Sequence, residues 1–279
     1  MDDQARKGRA FQDLHTRQTL FVMPNPWDAG SARMLTAMGF EALATTSSGF
    51  AHSLGRPDMA NAVSREELLG HVRALVAATP LPVSVDLEAG YGATPADVAE
   101  TVRMVIDAGA AGCSIEDNAY AASDPLYPIP EAVRRLAAAR KAIDDADVPF
   151  VLTARAECFL VRHPDPLAES IRRLVAYEEA GADCLYAPGL SSRAEVDRVI
   201  AAVERPVNVL GGYGRAPLTL AELAAAGVRR VSLGGWLANA AMSAAYLAAK
   251  EVQESGRFGF TRAARAAGSL DRMFADVVR

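Results

Sequence analysis

Eight times along the chain, a short run of β-branched and other apolar residues ends in a small or polar residue and gives way to an Ala/Leu/Arg-rich stretch of helical periodicity. No other feature restricts the fold as much. Strands apolar on both faces are buried on both faces, and helical crossovers between them demand a parallel sheet. The runs fall at 20–24, 42–46, 82–88, 112–117, 150–156, 184–188, 206–210 and 230–234. Eight such units predict a closed (β/α)8 barrel of the TIM type. The rival, a doubly wound open sheet, would carry a G-x-G-x-x-G turn after its first strand, where Pro24-Asn25-Pro26-Trp27 stands instead.

Helix boundaries carry their own marks. Ser64 with Glu67, Ser192 with Glu195, and Thr219 with Glu222 each read as a capping box. Thr94-Pro95 and Asp165-Pro166 place an N-cap ahead of a proline, whose missing N–H costs nothing in the first helical turn. Gly109, Gly181 and Gly227 close helices just before the next strand. Residues 237–254 read as the eighth helix. The remaining tail, 255–279, repeats apolar residues at Leu270, Met273, Phe274 and Val277. Such a stripe outside a finished barrel needs a partner surface, on a second copy of the chain or on its own barrel.

The 279 residues are therefore expected to form one barrel domain, 1–279, with the tail predicted to serve oligomer contacts. A chain of this size buries enough surface to fold without disulfides or a structural metal. Cys113, Cys158 and Cys184 form no C-x-x-C pair and read as reduced, buried thiols. The four histidines lack H-E-x-x-H spacing, so zinc has little support. Net charge is −5 with both signs interspersed, which argues against a nucleic-acid surface. No apolar stretch reaches the roughly 20 residues of a membrane span. The polar start Met1-Asp2-Asp3-Gln4 is not followed by an export signal, so a cytoplasmic protein is expected.

Chemistry in such barrels sits at the C-terminal ends of the strands. There stand Asn25; Thr46, Ser47 and Ser48; Asp86 and Glu88; Glu116 and Asp117; Arg155 and Glu157; Asn208; and Gly234. Asp86 and Glu88 lie two apart on one strand and share a face, and Glu116 ends the next strand. Three carboxylates in a low-dielectric mouth repel one another, and a bound divalent cation relieves that cost. All-oxygen ligands favour Mg²⁺, with Mn²⁺ as an alternative. Arg155 suits bidentate capture of a carboxylate or phosphonate, or an ion pair with Glu157. Thr46-Ser47-Ser48-Gly49 offers hydroxyls and N–H groups to an anion, or is a plain turn. Gly211-Gly212-Tyr213-Gly214 and Gly234-Gly235 stand where barrels bind phosphate, and also read as tight turns.

Taken together, Val85-Asp86-Leu87-Glu88-Ala89-Gly90-Tyr91-Gly92, Ser114-Ile115-Glu116-Asp117, Thr153-Ala154-Arg155 and the upstream Ser53-Leu54-Gly55-Arg56-Pro57-Asp58 resemble the isocitrate lyase/phosphoenolpyruvate mutase superfamily over roughly residues 20–250. The resemblance implies a Mg²⁺-dependent barrel that makes or breaks the C–C or P–C bond beside an enolate of a small 2-oxo or 2-hydroxy acid. By position, it makes Asp86 the principal metal carboxylate, with Glu88 and Glu116 holding the metal's waters. Asp58, Glu116 and Arg155 would be catalytic. Thr46, Ser47, Ser48, Arg155 and Asn208 would bind the substrate. It also implies a homo-oligomer, a dimer or tetramer.

Departures from the family choose among its reactions. The lyases carry Lys-(Lys/Arg)-Cys-Gly-His after the fourth strand, whereas residues 118–128 here contain no Cys, His or Lys. The mutases continue Glu-Asp-Lys, whereas Glu116-Asp117 is followed by Asn118 and no basic residue until Arg134. A migrating phosphoryl group would lose an electrostatic clamp. Where the sixth strand ends, Pro188 replaces the Glu or His of those enzymes. The leading expectation is C–C cleavage, retro-aldol or decarboxylation, of a di- or tricarboxylate through a metal-stabilised enolate. The alternatives are P–C chemistry (a phosphonopyruvate mutase or hydrolase) and a non-catalytic metabolite-binding barrel.

Overall fold

The computed structural model describes residues 3–58, 62–121, 123–266 and 270–277. The strands are β1 (Phe21–Met23), β2 (Leu43–Ala44), β3 (Val83–Asp86), β4 (Gly112–Glu116), β5 (Val151–Arg155), β6 (Cys184–Tyr186), β7 (Val207–Leu210) and β8 (Arg230–Ser232). Each falls inside the segment its sequence predicts. The helices are α1 (Asp3–Thr16), α2 (Ala29–Ala37), α3 (Ser47–Ser53), α4 (Arg65–Ala78), α5 (Pro95–Asp107), α6 (Ile129–Ala146), α7 (Pro166–Glu179), α8 (Arg193–Ile200), α9 (Leu220–Ala225), α10 (Trp236–Ser255), α11 (Thr261–Ala266) and α12 (Leu270–Val277).

All strand pairs are parallel, in the order β1-β8-β7-β6-β5-β4-β3-β2. The remaining seam is closed just beyond the ends of β1 and β2. There Ala44 N donates to Pro24 O at 3.1 Å and Asn25 Nδ2 donates to Thr45 O at 2.8 Å. Asn25 Oδ1 also accepts from Leu233 N and Gly234 N, so this one side chain ties three strand ends together. The capping boxes at Ser64, Thr94, Ser192 and Thr219 all form, which fixes where α4, α5, α8 and α9 begin.

Alternate strand residues face opposite ways. Val85, Leu87, Ile115, Leu152, Leu185, Val209 and Val231 join the buried layer between sheet and helices. Their neighbours Ser84, Ser114, Asn208, Arg230 and Ser232 line the barrel interior. The base is sealed by α1, an element that the sequence periodicity did not announce. Its Phe11 and Leu14 pack with Phe21, Met23, Ala42, Ala111, Val151 and Cys184. Two glycines permit this approach: a Cβ on Gly8 would meet Pro149 O at 2.0 Å, and one on Gly112 would meet Phe11 at 2.8 Å. Gln4 and Lys7 then anchor α1 to Ile106 O and Thr79 O.

Of α10, Ala238 alone is buried, and Met242, Tyr246, Leu247 and Val252 are exposed. α12 lies against α2 of the same chain; the side chain of Val277 is outside what the structure describes. The three cysteines are free and buried. Among the described residues, no helix is long and apolar enough to cross a membrane.

Candidate active site

The strand ends open into a cavity bounded by Asn25, Asp86, Arg155, Tyr186, Asn208 and Arg230, among others. At its rim β3, β4 and β5 bring their terminal residues together, because their register places Asp86 beside Ser114 and Glu116 beside Arg155. Arg155 is the hub. Its Nη1 lies 3.6 Å from Asp86 Oδ1 and 3.2 Å from Glu116 Oε2, and its Nε donates to Glu157 Oε1. The ion pair with Glu157 thus forms, while Nη1 is engaged by Asp86 and Glu116. Its Cζ stands 5.5 Å from the centroid of the Tyr186 ring.

Asp86 Oδ2 accepts from Ser47 Oγ at 3.0 Å and Ser47 N at 3.3 Å, and its Oδ1 accepts from Glu88 N at 3.3 Å. Ser47 is therefore committed first to the Asp86 carboxylate. Thr46 caps α3 through Gly49 N, with its hydroxyl 3.1 Å from Ser48 Oγ. Asn208 is held between Arg230 Nε and Ser232 Oγ, each at 2.9 Å, and still lines the cavity. Glu88 sits at φ +45°, a left-handed conformation uncommon for a non-glycine residue.

Two tyrosines that the sequence reading passed over complete the cluster. Tyr91 OH donates to Glu88 Oε1 at 2.9 Å. Tyr120 OH donates to Glu116 Oε1 at 2.5 Å and Glu88 Oε2 at 3.3 Å. Tyr120 rides on the segment after β4, a small flap whose Asn118 and Leu126 pair in antiparallel fashion. Asn118 Oδ1 accepts from Tyr120 N and sets its turn at φ +54°. The Asn-Ala-Tyr run was the available signal, because Asn folds readily back onto the N–H two residues on. Tyr186, also missed, has the inward parity of β6 and lines the cavity wall.

Behind the rim, Asp117 fixes the next layer. Its Oδ1 accepts from Glu157 N at 2.9 Å; its Oδ2 accepts from Arg173 Nη1 at 2.9 Å and Tyr177 OH at 2.5 Å. Arg135 donates to the carbonyls of Ala89, Gly92 and Ala93 and so holds the turn that carries Glu88 and Tyr91.

The electrostatics follow from crowding. Burial, then the charges of Glu157 and Asp86, push the Glu116 carboxyl well above the usual range, against the pull of Arg155. Glu88 and Asp58 are raised by burial and then by the Asp86 charge. For Arg155, burial works against the cation, but Glu116, Glu157 and Asp86 outweigh it and raise its pKa. Carboxylates held this close favour a cation. Among the described residues, no three His, Cys, Asp or Glu side chains form a ready-made metal cage. That donor set suits a hydrated Mg²⁺, which keeps several waters and needs only one or two protein carboxylates. It does not suit a closed structural site.

Known proteins resemble this chain in sequence and in fold. The sequence profile of the phosphoenolpyruvate phosphomutase family matches residues 11–253. The chain is 31% identical to the 2-methylisocitrate lyase of Escherichia coli (strain K12), over 79% of this chain and 76% of that protein. It is 34% identical to an oxaloacetate decarboxylase of Bradyrhizobium sp. (strain BTAi1), over 74% of this chain and 69% of that protein. Among solved structures, a Burkholderia cenocepacia J2315 protein provisionally described as a lyase/mutase shares 51% identity over 98% of both chains, with a TM-score of 0.94. A phosphonopyruvate hydrolase solved with oxalate and Mg²⁺ shares 26% identity over 92% of this chain and 90% of that one, with a TM-score of 0.81.

Proposed function

Since the chain belongs to the phosphoenolpyruvate phosphomutase family, an enzyme family within the isocitrate lyase/phosphoenolpyruvate mutase superfamily, we propose that it is a Mg²⁺-dependent lyase cleaving a C–C bond of a small 2-oxo or 2-hydroxy di- or tricarboxylate. The observation that carries this reading is the convergence of Asp86, Glu116 and Glu157 on Arg155 at the cavity rim. In it, Asp86 would hold the cation directly, with Glu88 and Glu116 reaching it through waters. The cation supplies Lewis-acid stabilisation of negative charge on the 2-oxo oxygen.

The chain's own residues do the rest. Ser47 orients Asp86 through two hydrogen bonds, while Thr46 and Ser48 present hydroxyls to the substrate carboxylate. Arg155 supplies a guanidinium to an anionic oxygen, held in place by Glu157. Asn208 lines the inner wall. Glu116, its carboxyl pKa raised by burial, would return a proton to the carbon left electron-rich by cleavage. Asp58, exposed in this structure, would act at the same centre with a raised pKa. Decarboxylation or retro-aldol cleavage needs an electron sink and an anion clamp, and neither requires the thiol that residues 118–128 lack.

Exposed apolar side chains on α10, together with Phe258 and Phe260 beyond it, support assembly as a homo-oligomer, with the tail at 255–279 contributing; light scattering of the full chain tests this.

The purified protein, assayed against a panel of such acids with Mg²⁺ and again with a chelator, is expected to release a pyruvate-type product only in the presence of metal. Inertness toward the whole panel overturns the proposal. Phosphorus NMR on phosphonopyruvate separates C–C from P–C chemistry, since only the latter changes the phosphonate signal.

A further inference from the structure

The inner end of the cavity is closed by a guanidinium. Arg230, on β8, is 2% exposed and reaches across the barrel interior. Its Nε donates to Asn208 Oδ1 at 2.9 Å. Its Nη1 donates to Thr153 Oγ1 and His15 Nε2, each at 3.1 Å. Its Nη2 donates to Thr153 Oγ1, also at 3.1 Å.

Every one of these acceptors is neutral. His15 must be so, because a guanidinium has no lone pair and can only donate to Nε2. The ring proton then sits on Nδ1, 2.7 Å from Phe11 O. Burial, reinforced by the Arg230 charge, brings the His15 pKa down to about 3.

The contrast with Arg155 is plain. Arg155 faces three carboxylates, whereas among the described residues none lies within ion-pair distance of Arg230. Four of the five guanidinium N–H groups of Arg230 are engaged, and the fifth, on Nη2, has no acceptor among the described residues. A buried cation held only by neutral dipoles is costly. If Arg230 served only to brace Asn208 and Thr153, a neutral donor would serve better.

We propose that Arg230 is a specificity-determining residue that receives a second carboxylate of the substrate at the inner end of the cavity, so that the enzyme selects dianionic over monoanionic 2-oxo or 2-hydroxy acids. This rests on the cavity being the acid-binding site set out above. The metal-binding end and the inner end then recognise different parts of one molecule, the first its 2-oxo or 2-hydroxy carboxylate and the second its remaining carboxylate. A charge-assisted hydrogen bond from Nη2 adds to the electrostatic attraction.

Malate and lactate differ by the required carboxylate, and calorimetry with each in the presence of Mg²⁺ tests the proposal. Wild type is expected to bind malate at least tenfold more tightly than lactate. Arg230→Met is expected to bring that ratio to near one, and Arg230→Lys to restore part of it. Thermal melting and metal titration of each variant confirm an intact barrel, and Arg230→Gln replaces the Met variant if that one fails to fold. Equal binding of the two acids by wild type, or an unchanged preference in a folded neutral variant, overturns the role of Arg230 alone. If wild type binds neither acid, the reading of the cavity as an acid site falls with it.

Discussion

The Tyr120 hydroxyl lies 2.5 Å from Glu116 Oε1, so the flap after β4 is fastened to the acid cluster by a hydrogen bond to a carboxylate. Tyr120 is otherwise 41% exposed, and little else holds its side chain down. Such a hydrogen bond contributes about 0.5–1.5 kcal/mol. Tyr120→Phe is therefore expected to raise KM about tenfold, leave Tm unchanged, and speed proteolytic cleavage within 118–128. Steady-state kinetics and limited proteolysis read the two effects.

Asp86 accepts three hydrogen bonds from the chain and keeps lone pairs for a cation. Asp86→Ala is expected to lower Mg²⁺ or Mn²⁺ affinity on the order of 100-fold or more. Calorimetric metal titration measures this, with circular dichroism confirming that the barrel persists.

Asp117 is buried against Arg173 and Tyr177 and accepts from Glu157 N. Removing one partner of a buried ion pair strands the other, at a cost of about 3–5 kcal/mol. Asp117→Ala should lose stability on that scale in urea unfolding. It should lose activity as well, because the segment carrying Glu157 loses its anchor.

His71 stacks on Phe50 at 3.8 Å, and its Nε2 has no hydrogen-bond partner among the described residues. Burial lowers its pKa to about 4 from an ordinary value of 6.5. A base whose pKa falls on folding leaves the unfolded chain the better proton acceptor. Its contribution is complete above pH 6.5, declines as the pH falls, and is lost by about pH 4. The shift corresponds to on the order of 3 kcal/mol. His71→Phe keeps the stack, so urea unfolding at pH 7.5 and pH 4 should show a difference smaller than wild type by about that amount.

Much of this molecule is legible in the order of its residues. Apolar runs place all eight strands, and N-cap side chains with their reciprocal acids place the helix starts. The period of two puts Asp86 beside Glu88, and barrel topology puts Glu116 and Arg155 next to them. Tyr120 was hidden because its reach depends on an Asx turn and a left-handed backbone, neither of which has a period. Arg230 was hidden in Val228-Arg229-Arg230-Val231, where two adjacent arginines look like a solvated edge. Only strand alternation, which pairs Arg230 with Ser232 on the inward face, separates it from Arg229. The α1 helix has no apolar run to announce it; its few buried residues gain meaning from the base they cover.

That helix has a practical consequence. The barrel interior is filled by side chains, and its lowest apolar layer is covered by a single helix pinned by Gln4, Lys7 and Phe11. Trimming the chain past Phe11, or fusing a rigid partner directly ahead of α1, would expose Phe21, Met23, Val151 and Cys184 at the base to water. Affinity handles belong at the opposite terminus, and an inactive N-terminal truncation would report an uncovered base rather than a missing catalytic group.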